Sequence, residues 1–286
     1  MNTNGTPIPV YVKKETILAI EGVSLSFDGR PVLRDVNASV QDIIRPGMSQ
    51  GQVICLLGPS GIGKTQLFRR LAGLDLGSET AATSGQVYLG AERKLAHRGD
   101  LGFVFQHYPL FRQYSVLGNL LIAAAQVGLK GKQAQEKAMD LLSRFGLADK
   151  RNLYPAQLSG GQRQRIAIAQ QIICSKYFLL MDEPFSGLDP LMKNEVCMLI
   201  TSVAQMHELN TIIITTHDIE TSVVIADTLW VMGNEKDASG QTIPGARIRH
   251  VYDLIEAGLT WQPNVRKLPQ FAAMVQELNE LFPSLK

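Results

Sequence analysis

The run Gln52–Leu57 leads directly into Gly58, Pro59, Ser60, Gly61, Ile62, Gly63, Lys64 and Thr65, the pattern GxxxxGK[ST]. The run reads as a strand buried on both faces. Lys64–Gly73 reads as a helix, with Gly73 as its stop. Glycines between a strand and a helix let successive backbone N–H groups face phosphate oxygens, and the helix N-terminus adds a favourable dipole. In this pattern the lysine reaches the β- and γ-phosphates and the hydroxyl residue binds Mg²⁺. A chain with this strand–loop–helix unit is constrained to an α/β fold built around a phosphate site.

Residues 17–40 read as short strands with a turn at Asp28-Gly29-Arg30. Asp42–Gln50 is a connection containing Pro and Gly. Gln133–Phe145 is amphipathic, with Ala134, Ala138, Leu141, Leu142 and Phe145 on one face and Gly146 as its stop. Phe178–Met181 and Thr211–Thr215 read as buried strands. Between them Val196, Leu199, Ile200 and Val203 line a helix face. Strands alternating with helices predict a mostly parallel core sheet with helices on both faces. The mainly helical stretch of about 107–160 interrupts the alternation as an inserted subdomain.

The strand at Phe178 ends in Asp182 and Glu183. A carboxylate at a strand end beside the phosphate loop is placed to hold Mg²⁺, which assigns Asp182. Glu183 then points past the metal, where it can take a proton from an attacking water. Taken alone, the pair has a second, weaker reading as a solvated acidic strand end.

Composition narrows the function classes. Charged residues are 19% and the formal net charge is +2, which gives no electrostatic case for nucleic acid. The longest apolar runs, such as Asn119–Leu129, fall short of the roughly 18 residues of a membrane span. The N-terminus lacks a signal-peptide pattern. Cys55, Cys174 and Cys197 show no metal-ligand spacing and read as core thiols.

Leu158-Ser159-Gly160-Gly161-Gln162 lies between the phosphate loop and the Asp-Glu strand end. In this order and spacing the chain resembles the ATP-binding cassette (ABC) ATPases over about residues 17–233. Gln106 in FVFQ resembles the family's Q-loop. Ser186-Gly187-Leu188-Asp189 resembles its D-loop, and His217 in TTHD its switch histidine. The resemblance implies a P-loop NTPase fold with an N-terminal antiparallel β subdomain. Residues 1–16 and 234–286 are then terminal extensions.

The resemblance also implies roles and partners. Two copies pair head to tail around two ATPs. Each ATP then touches the phosphate loop of one copy and Ser159, Gly160, Gly161 and Gln162 of the other. His217 contacts the γ-phosphate, Gln106 the Mg²⁺ and the water, and Asp189 lies at the nucleotide interface. Phe27 stands where the family has an aromatic stacked on adenine. Gln66 stands where a second hydroxyl residue is frequent, and the 42–50 link is several residues longer than usual. Gln170-Gln171 replaces the more usual Ala-Arg, a change expected only to alter surface pairing.

A single cassette without fused membrane helices resembles importers with separate permease subunits. Such systems sit at the cytoplasmic face of the inner membrane and are fed in some cases by an extracytoplasmic solute-binding protein. The segment Asp253–Trp261 faintly resembles the nitrate/sulfonate/taurine group, and polar amino-acid uptake is comparable. The alternatives are a lipid-trafficking or export ATPase and a non-transport ABC ATPase. Tyr108, Leu110, Phe111 and Tyr114 follow the Q-loop glutamine and mark a candidate permease-docking surface.

Overall fold

The computed structural model describes residues 10–44, 51–74, 80–174, 178–205, 211–262 and 264–286. Most of the 42–50 link therefore lies outside the described residues. Strands β1 (Val12–Phe27) and β2 (Arg30–Ile44) form an antiparallel hairpin. Asp28 and Gly29 both take left-handed φ, 49° and 73°, which suits the tight Asp-Gly turn that matches strand twist. The short strands expected here are in fact 16 and 15 residues long. Register shifts along the pair, as between Ile20 and Val23, let the ladder bend without ending it.

Strand β3 (Gln52–Leu57) is followed by helix α1 (Lys64–Leu71), strand β4 (Ala81–Leu89), the short β5 (Lys94–Leu95) and β6 (Gly102–Val104). Three helices follow: α2 (Val116–Gln126), α3 (Gly131–Arg144) and α4 (Gly160–Cys174). Then come β7 (Phe178–Asp182), α5 (Pro190–Ala204), β8 (Thr211–Thr216), α6 (Ile219–Ile225), β9 (Thr228–Lys236), β10 (Thr242–Asp253) and α7 (Pro269–Leu281). Among the described residues the strand order is β5-β4-β1-β2-β10-β9-β3-β8-β7-β6. Strands β9, β3, β8, β7 and β6 pair in parallel, whereas β5, β4, β1 and β2 are antiparallel. The two parts meet where Ala246 of β10 pairs with Leu33 of β2.

The parallel strands are buried on both faces, and alternation assigns each face a core. Val53, Cys55 and Leu57, with Leu179, Met181, Ile212 and Ile214, join a cluster built with α2 to α7. Ile54 and Leu56, with Leu180, Ile213 and Trp230, face the opposite way onto α1 and the β1–β2 hairpin. The amphipathic face read over Gln133–Phe145 is buried as expected, Ala138 and Leu142 completely. Cys55 and Cys197 are buried, but Cys174 is only half-buried, at the end of α4, where its thiol donates to the Ala123 carbonyl.

Residues beyond β9 wrap back onto the core. Strand β10 lies between β9 and β2 in the sheet, α7 packs against α6, and Leu285 is fully buried against β9. Gly233 makes that close approach possible, because a Cβ there would lie 2.9 Å from the Leu285 Cα.

Gln170 and Gln171 are not surface residues of the kind expected. Gln170 is buried and its side-chain amide donates to the Asn119 carbonyl on α2 at 3.1 Å. Gln171 accepts from the Phe103 N–H of edge strand β6 at 3.1 Å. The polar side chains thus tie α4 to α2 on one side and to the sheet on the other.

Candidate functional site

The functional side chains gather at the C-terminal ends of parallel strands, where such sheets place their ligands. Gly58 follows β3 and packs so closely that a Cβ would lie 2.7 Å from the Met232 carbonyl. Gly61 and Gly63 have φ of 80° and 108°, which favour glycine. The hairpin covers this loop. A Cβ at Gly63 would lie 3.1 Å from both Val32 and Leu33. Phe27 stands at the same hairpin end, paired with Arg30 across the turn and partly buried against apolar neighbours.

Lys64 is 5% exposed. Its ammonium donates to the carbonyls of Gly58 at 2.8 Å and Pro59 at 3.1 Å, and lies 3.2 Å from Glu183 Oε1. The Thr65 hydroxyl donates to Asp182 Oδ1 at 3.1 Å. Gln66, one residue on, is half-buried with its side-chain carbonyl unpaired. The P-loop cation, its hydroxyl and both strand-end carboxylates therefore form one cluster.

Thr215, near the end of β8, completes it. Its hydroxyl donates to Asp182 Oδ1 at 2.7 Å and accepts from the Glu183 N–H at 2.9 Å. His217 Nδ1 lies 2.9 Å from Glu183 Oε2. Glu183 itself has a left-handed backbone, φ 46°. Its carboxylate is thus held between the Lys64 ammonium and the His217 ring.

Gln106 is exposed, two residues beyond Val104, which pairs with Met181. It lies beyond the end of β6, as Glu183 lies beyond the end of the neighbouring β7. The loop after Gln106 also reaches this region. The Tyr108 hydroxyl donates to the Pro184 carbonyl at 3.2 Å, and burial pushes its phenol pKa up. Tyr108 and Leu110 are partly buried against the core, whereas Phe111 and Tyr114 are 48% and 45% exposed and meet edge to face. The surface expected over four residues therefore narrows to two.

Ser159, Gly160, Gly161 and Gln162 open α4. Ser159 Oγ accepts from the Gln162 N–H, and Gln162 Oε1 accepts from the Ser159 N–H. This is a reciprocal capping box, legible in the Ser-x-x-Gln spacing but not read there. A Cβ at Gly160 would meet nothing within 4 Å. Packing within the chain therefore does not require glycine there. Asp189 caps α5, accepting from Leu191 N–H at 2.9 Å and Met192 N–H at 3.1 Å.

Thr215, Asn119 and the Lys193–Asp218 ion pair were missed from the sequence. Thr215 sits in the TTHD run beside the histidine. Asn119 bonds the irregular loop just before α2, and Lys193 and Asp218 lie far apart along the chain, so no local pattern marks them.

Comparison with known proteins identifies the class. The ABC transporter family model matches residues 42–186. The chain is 36% identical over 220 residues to a sulfate/thiosulfate import ATP-binding protein of Rhizobium meliloti, covering 74% of this chain and 56% of that one. It is 35% identical over 219 residues to the arginine transport ATP-binding protein of Bacillus subtilis, covering 76% and 87%. It is also 35% identical to an aliphatic sulfonates import ATP-binding protein of Pectobacterium atrosepticum, covering 77% and 75%. A solved structure, cbiO1 of Clostridium perfringens, part of an ABC transporter complex, superposes with a TM-score of 0.69 at 25% identity, covering 93% of this chain and all of that one. The chain belongs to the ABC transporter family. It spans little more than half the length of the sulfate/thiosulfate relative and most of the arginine one.

Proposed function

We propose that this chain is the ATP-hydrolysing subunit of an importer, working with separate membrane subunits. The observation that carries the reading is the convergence of Lys64, Thr65, Asp182, Glu183, Thr215 and His217 within one hydrogen-bonded cluster. The names of the relatives, for sulfate, arginine and sulfonate import, favour uptake of a small polar solute.

The residues present fit Mg²⁺ and ATP. A hydroxyl and a carboxylate 3.1 Å apart are hard oxygen donors of the kind Mg²⁺ takes, with phosphates and water filling the rest. Among the described residues no cluster of three or more His, Cys, Asp or Glu could hold a metal alone, which suits an ion brought in with its nucleotide. When bound, ATP would supply the phosphoanhydride and Mg²⁺ would neutralise phosphate charge. Lys64 would bind the β- and γ-phosphate oxygens, and Thr65, Asp182 and Gln106 would hold the metal. Phe27 offers a π-face to the adenine. Gln66 lies next to the phosphates.

Glu183 orients the attacking water and accepts its proton, while Thr215 holds its backbone N–H and His217 its carboxylate. The open start of α4, with Ser159, Gly160 and Gly161, is suited to the γ-phosphate held by a second copy. Asp189 stands beside that junction. The membrane subunit docks on Phe111 and Tyr114, placing the chain at the cytoplasmic face of the membrane. A solute-binding protein outside the membrane completes the system.

Phosphate release by the purified chain with Mg²⁺-ATP tests the reading. Activity should vanish in Lys64→Ala together with affinity for a fluorescent ATP analogue. In Glu183→Gln, turnover should fall by about a hundredfold or more with nucleotide affinity kept. Unchanged turnover in both variants refutes the assignment.

A further inference from the structure

The ion pair between Lys193 on α5 and Asp218, just before α6, links two segments that both reach the hydrolytic carboxylate. Both side chains are half-buried. Asp218 immediately follows His217 and caps α6, its Oδ1 accepting from the Thr221 N–H at 3.0 Å. Its own N–H donates to the Thr216 hydroxyl at 3.1 Å. Its Oδ2 accepts from the Lys193 ammonium. Burial works to raise the Asp218 carboxyl, and the bonds from Lys193 and Thr221 override it, so the group lies below its ordinary value.

Lys193 is equally well anchored. Its N–H donates to the Asp189 carbonyl at 2.9 Å, in the first turn of the helix that Asp189 caps. Asp189 closes the turn that leaves Glu183, where the Ser186 N–H donates to the Glu183 carbonyl at 3.1 Å. Tracing these contacts gives a closed ring. It runs from Glu183 through the turn to Asp189, along α5 to Lys193, across to Asp218, back one residue to His217, and from the His217 ring to the Glu183 carboxylate at 2.9 Å. Lys193–Asp218 is the only link of this ring made by two side chains outside the cluster around the base.

We infer that Lys193 is a positioning residue for hydrolysis: through Asp218 it fixes the backbone of His217, and so the geometry of the His217–Glu183 contact. The inference rests on the ATPase reading above. Neither residue belongs to the P-loop, so the pair governs turnover and leaves nucleotide binding alone.

The test is steady-state hydrolysis by the full chain, with thermal melts to confirm folding. Lys193→Met should lower kcat roughly tenfold while KM for ATP stays within about twofold, the mark of an interaction that matters after binding. Lys193→Arg, which keeps the cation, should recover most of the loss. Asp218→Asn, which keeps the acceptor for Thr221, should match Lys193→Met. The double variant should be no worse than the poorer single, because both changes break one interaction. Unchanged kcat in Lys193→Met overturns the inference, as does full additivity in the double variant. So does a lowered melting temperature with wild-type kcat in the folded fraction, which marks a merely structural pair. A wild-type chain that hydrolyses no ATP refutes the ATPase reading itself and the inference with it. An active wild type indifferent to Lys193→Met refutes the inference alone.

Discussion

The Thr215 hydroxyl donates to Asp182 Oδ1 at 2.7 Å and at the same time accepts from the backbone N–H of Glu183. One buried oxygen thus orients two neighbouring acidic residues. Thr215→Val keeps the shape and removes both bonds, leaving a largely buried amide unpaired. Stability should fall by about 1–3 kcal/mol, the usual cost of such a group. Turnover should fall with it. Thr215→Ser, which restores the hydroxyl, should return both toward wild type. Thermal melts and phosphate release check this, and a valine variant that melts and turns over like wild type contradicts it.

Asn119 is fully buried on α2 and organises the loop after Gln106. Its side chain accepts from the Phe111 N–H at 2.8 Å and donates to the carbonyls of Phe111, Tyr114 and Ser115. Gln170 of α4 donates to its backbone carbonyl. Asn119→Leu should destabilise the chain by about 2 kcal/mol or more, because several buried partners lose their bonds together. Hydrogen exchange should speed at Phe111. Exchange there at the wild-type rate speaks against the arrangement.

The partner surface gives a sharper test than the sequence offered. Leu110 packs against the core, so a charge there would report on folding. Phe111 and Tyr114 are the exposed pair. Phe111→Glu should leave the melting temperature and basal hydrolysis near wild type, since exposed substitutions usually fall within about 0.5 kcal/mol. Co-purification with the membrane subunit should be lost. Undiminished co-purification moves the docking site elsewhere.

The cysteines should separate by reactivity. Burial holds the Cys55 thiol well above its ordinary pKa and pushes Cys197 up to about 11. Cys174 is raised by partial burial, but it is the one accessible to solvent. In the folded chain at pH 8, iodoacetamide should label Cys174 first and the other two only on unfolding, because the thiolate is the reactive form. Mass spectrometry of the digested protein reads this directly. Early labelling of Cys55 contradicts its burial.

Much of this was legible in the sequence because the determinants are local. The P-loop reads from its glycines, the buried strands from their apolar runs, and α3 from its spacing. What was not legible depends on distance or geometry. The length of β1 and β2 rests on bulges that no composition marks. Gln170 and Gln171 looked like surface residues because glutamine usually is one, and only the fold brings Asn119 and Phe103 beside them. Ser159 and Gln162 are different, since their capping box is a local pattern that was passed over in favour of their phosphate chemistry. The Lys193–Asp218 pair spans the whole of β8 and most of α5, so nothing in either segment alone points to it.

Glu183 sits in the left-handed region, which costs a side-chain-bearing residue about 1 kcal/mol or more. Glycine adopts that backbone freely. Glu183→Gly would relieve that strain, but it would also take away the carboxylate that pairs with the buried Lys64 ammonium at 3.2 Å and with the His217 ring. On the reading proposed above, the variant would also lack its base. Glutamate at this position thus joins a strained backbone to contacts with Lys64 and His217, and libraries built to harden this protein should hold residue 183 fixed.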